Sequence, residues 1–550
     1  MAGPVEDSIG AVAADFWEWQ LRENPEEATA LGDHRFDDRL TDLSAEAYAR
    51  RGETARELSR RLDALGALTG EDAITADVLR LQLAETVDAE RLHLEQIAIN
   101  QIDGPQVGFP RQMGRHPSRD NRDVAFLLKR YLAFPSQMKD YLINLGAGLA
   151  ARRAAPRIVV ERVMAQLRDR LAQDPLSSPF VKGRPPEHEY AIATAATQNI
   201  YPAYQALLGF LEQEYLPRAR ANIGLWALPD GEEIYAFAIR QRTTTGKTPA
   251  ELHELGEVEL ARIEAELRAL VGQPVRRALE QWVEADPHFE DRAAQLHAYR
   301  TTAERFRGRL PEEFGTLPLI PLRIEPMPDF LEQHAPGAIY ERPSSDGERP
   351  GTCYVNTYQP ETQPRYRMEP LVAHEALPGH HLQISLALGL TGLPIARRRA
   401  RVTAFSEGWG MYAERLADEM GLYSDDRARL GMLLGQAFRA ARLVVDTGIH
   451  AMKWTREHAI EYLLEHSVAT RREAELEIDR YIVWPAQGMS YMVGQMEILA
   501  ARAEAQQLMG TRFSRRAFHD RLLASGAMPL HTMRRVIAEW ARGAASAPQP

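Results

Sequence analysis

Ala373-His374-Glu375-Ala376-Leu377-Pro378-Gly379-His380-His381-Leu382-Gln383 gathers three imidazoles and a carboxylate within a few residues, a density that packing alone rarely requires. In the H-E-x-x-H signature, two histidines four residues apart share one face of an α-helix and reach one tetrahedral Zn²⁺. Here position 378 is proline, and the next histidines follow His374 by six and seven positions. On a straight helix they would lie roughly 9 to 10.5 Å along the axis, too far for a shared ion. Pro378-Gly379 offers a way round, because proline removes a helical hydrogen bond and glycine permits a bulged turn that absorbs the two extra residues. His380, directly after the glycine, is the expected second ligand, with His381 as the alternative. His381 is otherwise expected to face the cleft and contact substrate.

A third ligand is available downstream in Ala404-Phe-Ser-Glu407-Gly-Trp-Gly-Met-Tyr-Ala-Glu414. Glu407 would complete a His₂Glu shell with one position open for water. Glu414, two turns further on, is expected behind the ligands or on the surface. Glu375, next to a ligand, is placed to take a proton from the water and pass it to a leaving amine. An oxyanion donor is also needed. Tyr491, after the turn Trp484-Pro-Ala-Gln-Gly, is the first candidate and His450 the second, although Asp446 and His450 can also form a structural i, i+4 pair and Tyr491 can pack in the core. Ser406 and Cys353 lack the neighbouring base that a nucleophile requires.

Just before this motif, from about 317 to 358, short apolar or β-branched runs (Pro318–Glu325, Ala338–Tyr340, Thr352–Thr357) alternate with Pro and Gly. They read as a small sheet. A peptide is expected to lie along it near Tyr354 and Asn356, because a sheet edge can add an extended chain as a strand. Elsewhere apolar residues recur at helical spacing, as in Val12, Phe16 and Trp19. Gln101 to Ser118 carries Pro and Gly so densely that a long surface connection is expected. Thr248-Pro-Ala-Glu251, after Thr243-Thr-Thr-Gly-Lys, predicts a capped helix starting at Pro249. The expected organisation is an N-terminal helical lobe, 1–230, and a catalytic lobe, 231–550, together a mainly α protein or one continuous bilobed domain, ending in a frayed tail after Gly543.

The 550 residues are 45% hydrophobic and 26% charged, which excludes wholesale disorder. A formal net charge of −11 has the wrong sign for a broad nucleic-acid face. The most apolar run of this half, Ile384 to Ala396, is interrupted by Gly389, Gly392 and Pro394 and is shorter than the ~20 residues of a membrane span. With a single cysteine, Cys353, any metal must be held by His and carboxylates. That count and an N-terminus without an export pattern lead to the expectation of a cytoplasmic protein.

The motifs His374–Gln383, Ser406–Glu414, Arg442–His450 and Pro485–Tyr491, with Thr243–Thr245 and Leu31-Gly-Asp33, resemble the zincin-like "domain of unknown function 885" proteins over nearly the whole chain. The resemblance implies a large helical, gluzincin-like metallopeptidase fold with a small sheet before the metal-binding helix. In it His374, His380 and Glu407 would correspond to metal ligands and Glu375 to the catalytic base. The family usually has Pro-Gly-Gln where this chain has Pro485-Ala486-Gln487. The expectation is therefore a zinc-dependent peptidase acting on short peptides, with a non-peptide amide as the alternative substrate. The rival is a non-catalytic helical protein with a structural metal, whose fourth coordination position would be closed by a side chain. Oligomeric state is not legible in the sequence.

Overall fold

The fold, a computed structural model, describes residues 8–272, 275–328, 332, 335–345 and 349–546. It is mainly helical with a small three-stranded sheet. Contacts divide the chain into two units, one of residues 1–66, 79–234 and 344–348, the other of 67–78, 235–343 and 349–550.

In the first unit, Ser8, Ser44 and Asp120 each accept the backbone N–H three residues on, which starts the helices Ile9–Glu23, Ala45–Ala64 and Asn121–Ala150. Val12, Phe16 and Trp19 are buried at the expected helical spacing. The expected loop at Gln101–Ser118 instead contains a helix, Pro105–Gly114. Pro105 sits at the first helical position, where its missing N–H costs nothing. Gln106, Phe109 and Met113 then form a buried face, and Phe109 stacks on Phe134 with ring centroids 4.0 Å apart. Apolar burial outweighs the local proline and glycine signals there.

In the second unit, Thr248 and Glu251 complete a capping box at the start of helix Pro249–Val271, as the sequence predicts. Strands β1 (Leu322–Pro326), β2 (Ala338–Glu341) and β3 (Gly351–Val355) form a sheet in the order β1-β3-β2, with β1 parallel and β2 antiparallel to β3. Because β3 is the central strand, Tyr354 is paired with Glu325 on one side and Ile339 on the other. A peptide therefore cannot add beside Tyr354. Asn356 is buried and donates to the carbonyls of Glu332 and Ala335, so it braces the sheet.

Two long helices, Thr403–Glu419 and Met489–Met509, cross where Gly408 meets Gly494. A Cβ on Gly408 would lie 2.4 Å from the Gly494 backbone, so the contact requires glycine. This crossing brings Glu407 and Tyr491 into one neighbourhood. The C-terminal helix Leu530–Ser546 extends into the expected tail, and residues 547–550 lie outside the described residues, as do the first seven used in the export reading. No helix among the described residues is long and apolar enough to cross a membrane.

Candidate metal centre

The insertion at Pro378-Gly379 is absorbed differently from the expected bulge. Helix Met368–Leu371 widens into a π-helical turn, Val372–Ala376, and ends at Leu377, whose φ of −128° and ψ of 129° are extended. A residue before proline is pushed into that region, so Pro378 terminates the first helix. Gly379 then folds over the carbonyls of Ala373 and His374, where a Cβ would lie 1.8 Å from the His374 oxygen. A second helix, His380–Gly389, begins at once. Trp409 fixes the turn by donating its Nε1–H to the carbonyl of Pro378 at 2.9 Å. Two residues too many for one helix are thus divided between two.

The result brings the imidazoles of His374 and His380 together, with ring centroids 4.8 Å apart and planes at 85°. Their Nε2 atoms each lie 3.5 Å from the same Glu407 oxygen. That is too long for a strong charged hydrogen bond. It is close to the ~3.3 Å edge of a tetrahedron with zinc bonds of 2.0 to 2.1 Å. His374, Glu375 and His380 also offer ligand atoms that lie within 4.8 Å of one another. Glu375 could on that ground be the third ligand, but one of its oxygens already accepts the Tyr340 N–H at 2.9 Å. Glu407, equidistant from both imidazoles, is the better third ligand, and Glu375 stands beside the group as a base.

His374 is held from behind. Its Nδ1 lies 2.8 Å from the buried carboxylate of Glu414, and Arg439 is 3.3 Å from the same oxygen. A carboxylate on the far nitrogen fixes the tautomer so that Nε2 faces a metal. One face of the His374 ring rests on Gly410, and Tyr491 stacks against it at 6.1 Å. Glu407, Gly410 and Glu414 share one helix face, at i, i+3 and i+7.

Burial alone would lower the His374 pKa, but the nearby carboxylates of Glu407 and Glu414 raise it to about 9. Burial would raise Glu407, yet the two histidines hold it well below the usual carboxylate range. Three carboxylates therefore face two imidazoles, a donor set that fits a divalent cation. Tyr491 is raised by burial and by the nearby Glu407, so its phenol keeps its proton.

The remaining sequence candidates fall elsewhere. His381 is buried with both nitrogens engaged, Nδ1 with the Tyr340 hydroxyl at 3.0 Å and Nε2 with the Ile320 carbonyl at 3.1 Å. It braces β2 and has no nitrogen left for a substrate. His450 donates to the Tyr481 carbonyl at 3.0 Å and packs against Tyr235. Asp446 accepts the Tyr235 hydroxyl and the Ala486 N–H, at 2.8 and 2.9 Å. Ala486 has a φ of 62°, the left-handed region where glycine is favoured. Cys353 is buried on the central strand. The sequence reasoning missed Tyr340, which reaches Glu375 through its backbone, and the seat provided by Gly410.

Residues 25–537 match the family described as "Bacterial protein of unknown function (DUF885)". The chain belongs to that family. Among solved structures it is similar to a "putative lipoprotein" from Colwellia psychrerythraea, with a TM-score of 0.90, 26% identity, and 97% of this chain and 99% of that one covered. It also shares its fold with a "putative lipoprotein of unknown function" from Shewanella oneidensis, with a TM-score of 0.76, 18% identity, and 96% and 100% coverage. No curated protein matches the chain.

Proposed function

We propose that this DUF885 protein is a zinc-dependent hydrolase of peptide bonds, acting on short peptides, with His374, His380 and Glu407 as metal ligands. The observation that carries the proposal is the pair of imidazole nitrogens 3.5 Å from one Glu407 oxygen, with Glu375 alongside. Kinship with the gluzincins is part of the proposal and rests on this ligand set. A divalent ion bound there would supply a Lewis acid that polarises a carbonyl and acidifies a water.

The protein's own groups do the rest. Glu375 takes the proton of the attacking water and returns it to the leaving amine. The Tyr340 N–H fixes one oxygen of Glu375, leaving the other for proton transfer. The Tyr491 hydroxyl, which has no hydrogen-bond partner among the described residues, donates to the developing oxyanion. Glu414 keeps His374 in the required tautomer.

A cytoplasmic location goes with the proposal. The names of the two solved neighbours, both called putative lipoproteins, favour a lipid-anchored protein instead. Cell fractionation decides between them. The function itself is tested by incubating zinc-loaded wild type and Glu375→Gln with a peptide library and reading cleavage by mass spectrometry. Cleavage by the wild type alone supports the proposal. Cleavage of acylated amino acids without cleavage of peptides would move the substrate to a non-peptide amide. Metal binding with no hydrolysis of either would leave a structural metal.

A further inference from the structure

The segment Thr243-Thr-Thr-Gly-Lys-Thr248 has no part in the metal chemistry, yet it forms one wall of a cavity of about 820 Å³ in the second unit. The lining also includes helix Leu530–Ser546, through His531, Arg534 and Arg542, and Glu497 and Glu504 of helix Met489–Met509. This volume falls within the range of small-molecule sites.

The wall is tightly fixed. Thr243 is fully buried and bonds to the Ile239 carbonyl at 2.7 Å and to the Thr245 hydroxyl at 2.8 Å. Thr244 adopts a left-handed φ of 52° and accepts the Leu530 N–H at 2.9 Å. The segment is thereby joined to the first residue of the helix it faces.

The charges lining the cavity do not cancel. Glu251 is committed to its own helix cap, accepting from the Thr248 N–H at 2.7 Å and hydroxyl at 2.8 Å. Glu497 and Glu504 are both taken by Arg534, at 3.2 and 2.8 Å. Arg535 pairs with Asp77 at 2.6 Å. Lys247 and Arg542 form no ion pair among the described residues. In a chain of formal charge −11, two cations of this cavity, Lys247 and Arg542, thus stand outside any ion pair, with Glu251 near enough to Lys247 to feel its charge.

We propose that the cavity binds a small molecule carrying at least two phosphoryl groups, held by Lys247, Arg542 and Arg534. A lysine offers a point charge and an arginine a planar fork, and both match phosphate oxygens. Cations supplied by two separate segments of the chain suit two phosphoryl groups better than one. The site is independent of the metal centre and of whatever that centre hydrolyses.

The test is calorimetric titration of the zinc-loaded full chain with inorganic pyrophosphate and, separately, with ATP. The double variant Lys247→Gln, Arg542→Gln is expected to weaken binding at least about tenfold. It leaves the metal centre intact, so any anion binding to zinc is common to both proteins and cancels. Glu504→Gln removes one of the two carboxylates on Arg534, leaving Glu497, and is expected to tighten binding, which preserves the test should the double variant fold poorly. Pyrophosphate binding as tightly as ATP would mean that the phosphates alone are read, and tighter ATP binding that a nucleoside is read as well. Absence of saturation by about 10 mM of either ligand, or equal affinity in wild type and both variants, overturns the proposal.

Discussion

Replacing Gly410 with alanine probes the metal centre without altering any proposed ligand. A Cβ at that position would lie 2.6 Å from His374 Cε1, 2.7 Å from Nε2 and 2.9 Å from Nδ1, where ordinary contact begins near 3.4 Å. The imidazole would have to retreat by 3.4 minus 2.6, or 0.8 Å. It has little freedom to do so, because Glu414 holds Nδ1 and Tyr491 covers the ring. Metal bonds tolerate displacements of only about 0.2 Å. Zinc affinity is therefore expected to fall at least about tenfold, equivalent to about 1.4 kcal/mol. Overpacking should also cost the metal-free protein about 1 to 3 kcal/mol. Competition with a chromophoric chelator gives the first quantity, and urea unfolding of the metal-free protein gives the second. Gly209→Ala is the control, since its Cβ would meet open space. A Gly410→Ala protein that binds zinc within about twofold of wild type would refute the seating of His374 on Gly410.

Glu414→Gln should fold normally but bind zinc about 10- to 100-fold more weakly, by the same chelator competition, because it loses the charge behind His374. Glu375→Gln should keep its zinc and lose about 10²- to 10⁴-fold in turnover of any peptide the wild type cleaves. In the metal-free protein His374 is raised to about 9, so below that pH a metal must displace its proton. Apparent zinc affinity should accordingly rise with pH towards 9, measured by titration across the range. Ala486→Gly relieves a left-handed φ of 62° and should stabilise the fold by up to about 1 kcal/mol in urea unfolding. Burial raises Asp446 to about 7 against the bonds from Tyr235 and Ala486. An acid raised on folding gives stability that is fully present below its unfolded value near 4 and is lost as pH rises towards 7. Asp446→Asn should flatten that fall in a series of pH-dependent melts.

The candidate site was legible because its chemistry is concentrated in few residue types. His374, Glu375, His380 and Glu407 stand in short motifs, and the structure brings them together. The route by which they meet was less legible. A proline between two histidines signals a break, but whether the chain bulges or starts a second helix depends on Trp409 clamping the turn from a distant helix. His381 read as a site residue because a histidine next to a ligand carries the same local signal whichever way it points. Only its bonds to Tyr340 and Ile320 reveal a brace. The strands were found from β-branched runs between prolines, but strand order is not a local property, so β3 was taken for an edge when it lies at the centre. Pro105–Gly114 shows the same limit, since the burial of Phe109 against Phe134 overrides its local composition.

The central claim is that His374, His380 and Glu407 hold one zinc ion. The most direct measurement is zinc content combined with X-ray absorption at the zinc edge, on wild type and on the His374→Ala, Glu407→Ala variant. About one zinc per chain, bound by two imidazole nitrogens and carboxylate or water oxygen near 2.0 to 2.1 Å and lost in the variant, is the expected result. A wild type that takes up no zinc when it is supplied, or a variant that retains it, would contradict the claim.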